Sequence, residues 1–138
     1  MSLVLIVEDN TTFRNALRDM LTARFPSIGI DVAGNGEEAL SKVHNLSPNL
    51  IFMDLKLPGR NGLELTRTIK STNPEIEIII LTSYDIPEYR EAALRNGASH
   101  FLTKGNAGSD HIADVVASTL ASKSRELPDP NIRPASPA

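Results

Sequence analysis

The groups in this sequence best suited to metal and phosphate chemistry each stand where an apolar run stops. Glu8 and Asp9 follow LVLIV, Asp54 follows LIFM, Thr82 and Ser83 follow IEIIIL, and Lys104 follows SHFLT. Clustered carboxylates repel one another unless a cation compensates them. Mg²⁺ supplies that charge and takes oxygen ligands in octahedral geometry, from one or two carboxylates, a carbonyl and waters. Glu8, Asp9 and Asp54, with the main-chain carbonyl of Lys56, offer such a set. A carboxylate beside the ion is also a nucleophile toward phosphorus, because the metal screens its charge from an incoming phosphoryl group, and the product is an acyl phosphate. Lys104 and Thr82 suit the remaining phosphoryl oxygens, which want a cation and a donor.

Taken singly, each residue has a simpler reading. Glu8-Asp9 could cap a following helix, Asp54 could close an Asx turn, Thr82-Ser83 could cap the next helix, and Lys104 could simply be solvated. Only a fold that brings these loop tips together favours the chemical reading.

The elements that would do so are legible in the apolar pattern. Leu3–Val7, Ile28–Ala33, Leu50–Met53, Ile76–Leu81 and Ser99–Thr103 predict strands, several nearly continuous in Val, Ile, Leu and Phe, as parallel strands covered on both faces are. Between them lie helical signals. Phe13, Ala16, Leu17, Met20 and Leu21 form one helical stripe, and Ile112, Val115, Val116, Thr119 and Leu120 another. The three middle helices show in their ends: Asn35 as a cap with Glu37 and Glu38 behind it, Pro48 and Pro74 beyond the stops, Pro87 in a first turn and Gly97 at a C-terminus. Pro58-Gly59 and Asn61-Gly62 read as the turn leading into helix three, with glycine allowing positive φ.

Strict strand-helix alternation implies right-handed crossovers and a parallel sheet between helices, of the flavodoxin-like or Rossmann-like class. Five strands favour the former: an α/β, flavodoxin-like three-layer sandwich with a five-stranded parallel sheet in the order 2-1-3-4-5 and five helices. In that order the carboxyl ends of strands one, three, four and five can converge on one edge, where open parallel sheets bind ligands.

Bulk properties bound the rest. The chain has 138 residues, is 41% hydrophobic and carries a net charge of -3, so one domain is expected and nucleic acid binding is disfavoured. Cysteine is absent and no apolar run reaches a membrane span, which fits the cytoplasm. Residues 1–124 read as the domain and 125–138 as a Pro-rich flexible tail or linker remnant. His44, His100 and His111 are scattered and read as surface or boundary residues.

In this order and spacing, LIVEDN, IFMDLKLPGRNGLEL, IIILTSYD and HFLTKG resemble the receiver domain of bacterial two-component response regulators, over roughly residues 3–123. The resemblance implies that Asp54 accepts phosphate from a sensor histidine kinase or phosphotransfer protein, that Glu8 and Asp9 help hold Mg²⁺, and that Thr82 and Lys104 contact the phosphoryl group. It couples Thr82 to Phe101, whose rotation accompanies switching, and makes Ser83 the small residue that lets phosphate approach. Lys56 and Tyr84 then overhang the site and influence phosphate lifetime. The output surface is the face of helix four, strand five and helix five, available to a partner, a second copy in a homodimer, or an output domain. Such a domain catalyses only its own phosphorylation and dephosphorylation.

The sequence departs from the family pattern at Lys104-Gly105, where receivers often carry Lys-Pro with a cis peptide; many attached to helix-turn-helix output domains also lack this proline. A cis bond without proline costs about 2.5–4 kcal/mol, so a trans peptide and a looser fifth loop are expected. Two alternatives stay open. A haloacid-dehalogenase-like phosphatase also uses an Asp nucleophile with Mg²⁺, but needs a second acid where this chain has Lys56. A flavodoxin-like FMN-binding protein could use Thr11 and Thr12, but Glu8 and Asp9 would repel the phosphate.

Overall fold

The computed structural model describes residues 2–126. Strand β1 (Leu3–Val7) leads to helix α1 (Thr11–Arg24), β2 (Gly29–Ala33) to α2 (Gly36–Leu46), and β3 (Leu50–Met53) to α3 (Gly62–Thr72). Strand β4 (Glu77–Thr82), α4 (Pro87–Arg95), β5 (His100–Thr103) and α5 (Ser109–Glu126) complete the domain. The five strands pair in the parallel order β2-β1-β3-β4-β5, the flavodoxin-like order expected.

Because successive strand residues face opposite sides, the sheet divides its apolar side chains between two layers. Leu5, Val7, Ile51, Met53, Ile78 and Ile80 pack under Ala39 and Val43 of α2, Leu65 and Ile69 of α3, and Ala93 of α4. Val4, Ile6, Leu50, Phe52, Ile79 and Leu81 meet Leu17 and Leu21 of α1 and Ile112, Val115 and Val116 of α5. With both faces covered, β3 is buried along its whole length, which explains its unbroken apolar run. A central strand covered in this way presents polar groups only where it ends, at the sheet edge.

Several local expectations need adjusting. The second, fourth and fifth strands each begin one residue later than the apolar runs suggest, and β4 takes in Thr82. Ala16 is exposed, so the buried stripe of α1 narrows to Leu17 and Leu21, with Phe13 and Met20 along its margin. The turn after Asp54 contains a short antiparallel hairpin, Lys56–Leu57 paired with Arg60–Asn61, whose corner Gly59 turns at φ 76°. Gly62 does not take positive φ; Asn61 caps α3 by accepting from Leu63 N–H, and Gly62 begins the helix. Gly97 does take the left-handed conformation, at φ 108°. Helix α5 runs through Arg125 to Glu126, into the stretch expected as tail, and residues 127–138 lie outside the described residues.

Candidate functional site

The carboxyl edge of the sheet assembles the site from backbone hydrogen bonds first. Glu8 N–H donates to Ala33 O at 2.9 Å and Asp54 N–H to Val7 O at 3.1 Å, so the pairing of β1 with β2 and β3 continues one residue past each strand. Lys104 N–H donates to Thr82 O at 2.8 Å and ties the β5 loop to the end of β4 in the same way. The residues that follow the apolar runs are thereby held in line by the ladder itself.

The simpler readings of these residues do not hold. Asn10, not Glu8 or Asp9, caps α1, its side chain accepting from Phe13 N–H. Ile86 stands at the N-cap position of helix α4 and makes no side-chain cap bond, leaving Thr82 and Ser83 outside that role. Asp54 does accept its neighbour Leu55 N–H, at 2.8 Å through Oδ1, which orients the carboxylate and leaves Oδ2 for other contacts.

Lys104 is not solvated either. Its ammonium lies 2.7 Å from Glu8 Oε1 and 3.5 Å from Asp54 Oδ2, with only 16% of the side chain exposed. The peptide bonds among the described residues are all trans, Lys104-Gly105 included, and the lysine reaches the acids from a loop without a proline ring.

Glu8 and Asp54 are buried, at 3% and 7% exposure, whereas Asp9 is open to solvent. Burial pushes the Glu8 carboxyl above its usual value, with the Asp54 charge adding to the rise, while Lys104 and the Asn10 N–H pull it back. Asn10 N–H reaches Glu8 Oε2 at 3.0 Å. Carboxylate oxygens of Glu8, Asp9 and Asp54 all lie within 4.8 Å of one another. Three hard anionic donors this close, one open to water, suit Mg²⁺ by their chemistry, and the lysine ammonium partly compensates them. Lys56 opens the hairpin and, with Asp9, Pro58 and Asn61, lines a concavity of 490 Å³ beside the acids.

Thr82 is fully buried, and its hydroxyl accepts Tyr84 N–H at 3.3 Å within its own loop. Ser83 is exposed beside it. Tyr84 receives the Lys56 ammonium over its ring at 5.2 Å, so these two exposed side chains meet. Phe101 is buried, at 5% exposure, with the Arg90 guanidinium of α4 at 4.8 Å from its ring centroid. His44 and His111 are exposed and His100 is half-buried, and none joins the acidic group.

The sequence reading passed over Arg14, whose Nη1 donates to the Glu8 carbonyl at 3.0 Å, and saw Phe13 only as part of a core stripe. Their place in the first turn of helix α1, just past Glu8-Asp9 and the Asn10 cap, is the signal that both stand near the site.

Known proteins agree with this arrangement. The family profile of the response regulator receiver domain matches residues 4–116. The chain is 31% identical over 134 residues to response regulator GacA of Pseudomonas viridiflava, an alignment covering 88% of this chain and 63% of that protein. It is 34% identical over 123 residues to response regulator protein VraR of Staphylococcus epidermidis, covering 88% of this chain and 57% of the relative. The chain therefore spans roughly three fifths of the length of these relatives. Among solved structures, it resembles a CheY-like response regulator receiver domain protein from Methanospirillum hungatei with a TM-score of 0.85 and 25% identity, covering 92% of this chain and 99% of the other. A LuxR-family two-component response regulator from Aurantimonas gives a TM-score of 0.80 at 27% identity, covering 88% of this chain and 86% of the other. With the sheet order, the acidic edge and the sequence matches in accord, the chain belongs to the response regulator receiver domain family of two-component systems.

Proposed function

We propose that this receiver domain is a phosphoacceptor switch in which Asp54 takes a phosphoryl group from a sensor histidine kinase or phosphotransfer protein. The observation that carries the reading is the Lys104 ammonium set between Glu8 and Asp54, at 2.7 and 3.5 Å, on an edge that also holds Asp9. An Asp54 oxygen forms the new O–P bond as the P–N bond of the donor phosphohistidine breaks, and the imidazole leaves with the electron pair. Leu55 N–H holds Oδ1. Lys104 faces Oδ2 and neutralises charge where the phosphoryl oxygens arrive.

Glu8, Asp9 and Asp54 are the residues that would hold Mg²⁺, with the Lys56 carbonyl. Bound there, the ion supplies charge neutralisation for an anion meeting three carboxylates. Asp9 admits water to the site, and the buried Glu8 and Asp54 fix its inner wall.

An aspartyl phosphate brings close to two negative charges. It draws Lys104 and the Thr82 hydroxyl inward and biases a pre-existing equilibrium of the face made by α4, β5 and α5, with Phe101 as its moving side chain. That face then engages a partner, an output domain or a second copy of the chain in a homodimer. The domain itself contacts no nucleic acid and works in the cytoplasm; among the described residues no helix is long and apolar enough to cross a membrane. Lys56 stands where a dehalogenase-type phosphatase needs an acid, so the domain does not turn over a separate substrate and catalyses only its own phosphorylation and dephosphorylation. Incubation with acetyl phosphate and Mg²⁺ followed by intact mass tests the reading: wild type gains one phosphoryl group, Asp54→Ala gains none, and an adduct surviving the substitution moves the nucleophile elsewhere.

A further inference from the structure

The Lys104 ammonium makes a third contact besides its two carboxylates: it lies 4.3 Å from the centroid of the Phe13 ring. A cation over an aromatic face is attracted by the ring quadrupole, and more strongly where both are shielded from water. Phe13 is half-buried and packs against the apolar layer that α1 and α5 share, so its ring has little freedom to leave. Its backbone is pinned as well, because Phe13 N–H donates to the Asn10 cap at 3.0 Å. Asn10 N–H in turn holds Glu8 Oε2 at 3.0 Å, and Glu8 Oε1 meets Lys104. Cap, carboxylate, ammonium and ring thus close a circuit that fixes where the ammonium sits relative to Asp54.

The loop that carries Lys104 is tied through its main chain, Lys104 N–H to Thr82 O at 2.8 Å and Ala107 N–H to Thr103 O at 2.8 Å, but these bonds fix the backbone and not the rotamers of the lysine stem. A side-chain carbon added at Gly105 or Gly108 would meet nothing within 4 Å. A four-carbon stem on such a loop has many rotamers, and a charge that must lie over a forming phosphoryl group needs most of them excluded.

We infer that Phe13 is the positioning residue for Lys104: the α1 ring face, rather than the β5 loop, holds the ammonium at the phosphoacceptor. The inference rests on Asp54 being that acceptor, and its test separates the two. Phe13→Leu keeps apolar volume and removes the ring face, Phe13→Tyr keeps the face, and all variants are read for phosphorylation rate with acetyl phosphate at saturating Mg²⁺ and for the proton shifts of the Lys104 methylenes. In wild type those methylenes are shifted upfield by ring current. Phe13→Leu is expected to return them to ordinary positions and to slow phosphorylation about three- to tenfold, in line with a partly desolvated cation–π contact. Phe13→Tyr restores both.

Unchanged Lys104 shifts in Phe13→Leu overturn the inference. So does a rate loss of the same size when Phe13→Leu is placed in a Lys104→Met background, since the ring would then act through something other than the lysine. If wild type gains no phosphoryl group at all, the Asp54 reading fails, while the Lys104 shifts still decide the role of Phe13.

Discussion

A side-chain carbon at Gly62 would stand 2.0 Å from the main-chain oxygen of Asp54, so the first residue of α3 packs directly on the Asp54 backbone. Gly62 N–H donates to Leu55 O at 2.9 Å and locks this approach in place. What a methyl group would meet is backbone, which cannot rotate away. Gly62→Ala is therefore expected to destabilise the domain by about 3 kcal/mol, the upper end of overpacking costs. Gly105→Ala, in open space, should change stability by less than about 0.5 kcal/mol. Urea unfolding midpoints check the pair; equal midpoints would contradict the packing account.

Arg90 makes two contacts to Phe101, the proposed moving side chain. Its guanidinium lies over the Phe101 ring, and Nη1 donates to the Phe101 main-chain carbonyl at 3.3 Å. Only the ring contact depends on the ring staying buried. Arg90→Met should raise the outward population of Phe101, seen as a change in its ring resonances. It should also change the rate of acetyl phosphate phosphorylation about two- to fivefold, the population shift that loss of a weak cation–π contact gives, with the direction telling which rotamer the active form uses. An unchanged rate and unchanged ring resonances would contradict the coupling.

In the proposed switch, Lys56 and Tyr84 screen the aspartyl phosphate from water. Both side chains are exposed and meet each other, the ammonium 5.2 Å from the ring centroid. Replacing both with alanine removes that screen. Phosphate release, followed by loss of the phosphorylated mass after donor removal, should quicken several-fold; an unchanged lifetime would reject the screening role.

The second strand carries an ion cluster whose pH behaviour has a definite sign. Lys42 Nζ lies 3.0 Å from Asp31 and 3.4 Å from Glu38. Burial pushes Asp31 up, but the Lys42 and Val32 contacts outweigh it and hold the carboxyl below its ordinary 3.8. The Gly34 N–H leads in holding Glu38 below its ordinary 4.5. Two lowered carboxylates contribute stability that is present above those ordinary values and lost as pH falls through the folded ones. Lys42, raised chiefly by the Asp31 hydrogen bond, contributes below 10.5 and loses its contribution as pH rises through its folded value. The groups are partly exposed, so the cluster is worth less than about 1 kcal/mol. The melting difference between wild type and Lys42→Met should be largest near neutral pH and shrink in acid and in high salt; a constant difference would refute the assignment.

Much of this site could be read from the chain alone because burial writes itself into sequence. Strands covered on both faces must be apolar throughout, so Asp54 after LIFM and Glu8 after LVLIV stood out against them. Alternation implied a parallel sheet between helices and five strands favoured the flavodoxin-like order, under which Glu8, Asp9, Asp54 and Lys104 can converge. The hairpin at Lys56 was invisible because two-residue strands have no period to detect. Phe13 was seen as core, as its spacing allows, yet its second partner lies on the far end of the chain and leaves no local trace. Gly62 was assigned to a turn because Asn-Gly favours one, whereas the close approach of Asp54 backbone is what requires it. Gly105 pointed to a looser loop, and the contacts that hold Lys104 come from other elements.

The most direct measurement of the central claim is the chemical location of the phosphoryl group. Borohydride reduces an acyl phosphate to the alcohol, converting a phosphorylated aspartate to homoserine. Peptide mapping after acetyl phosphate treatment should find homoserine at position 54, dependent on Mg²⁺ and absent when the ion is chelated. Homoserine at position 9, or labelling at position 54 that is indifferent to the metal, would contradict the account.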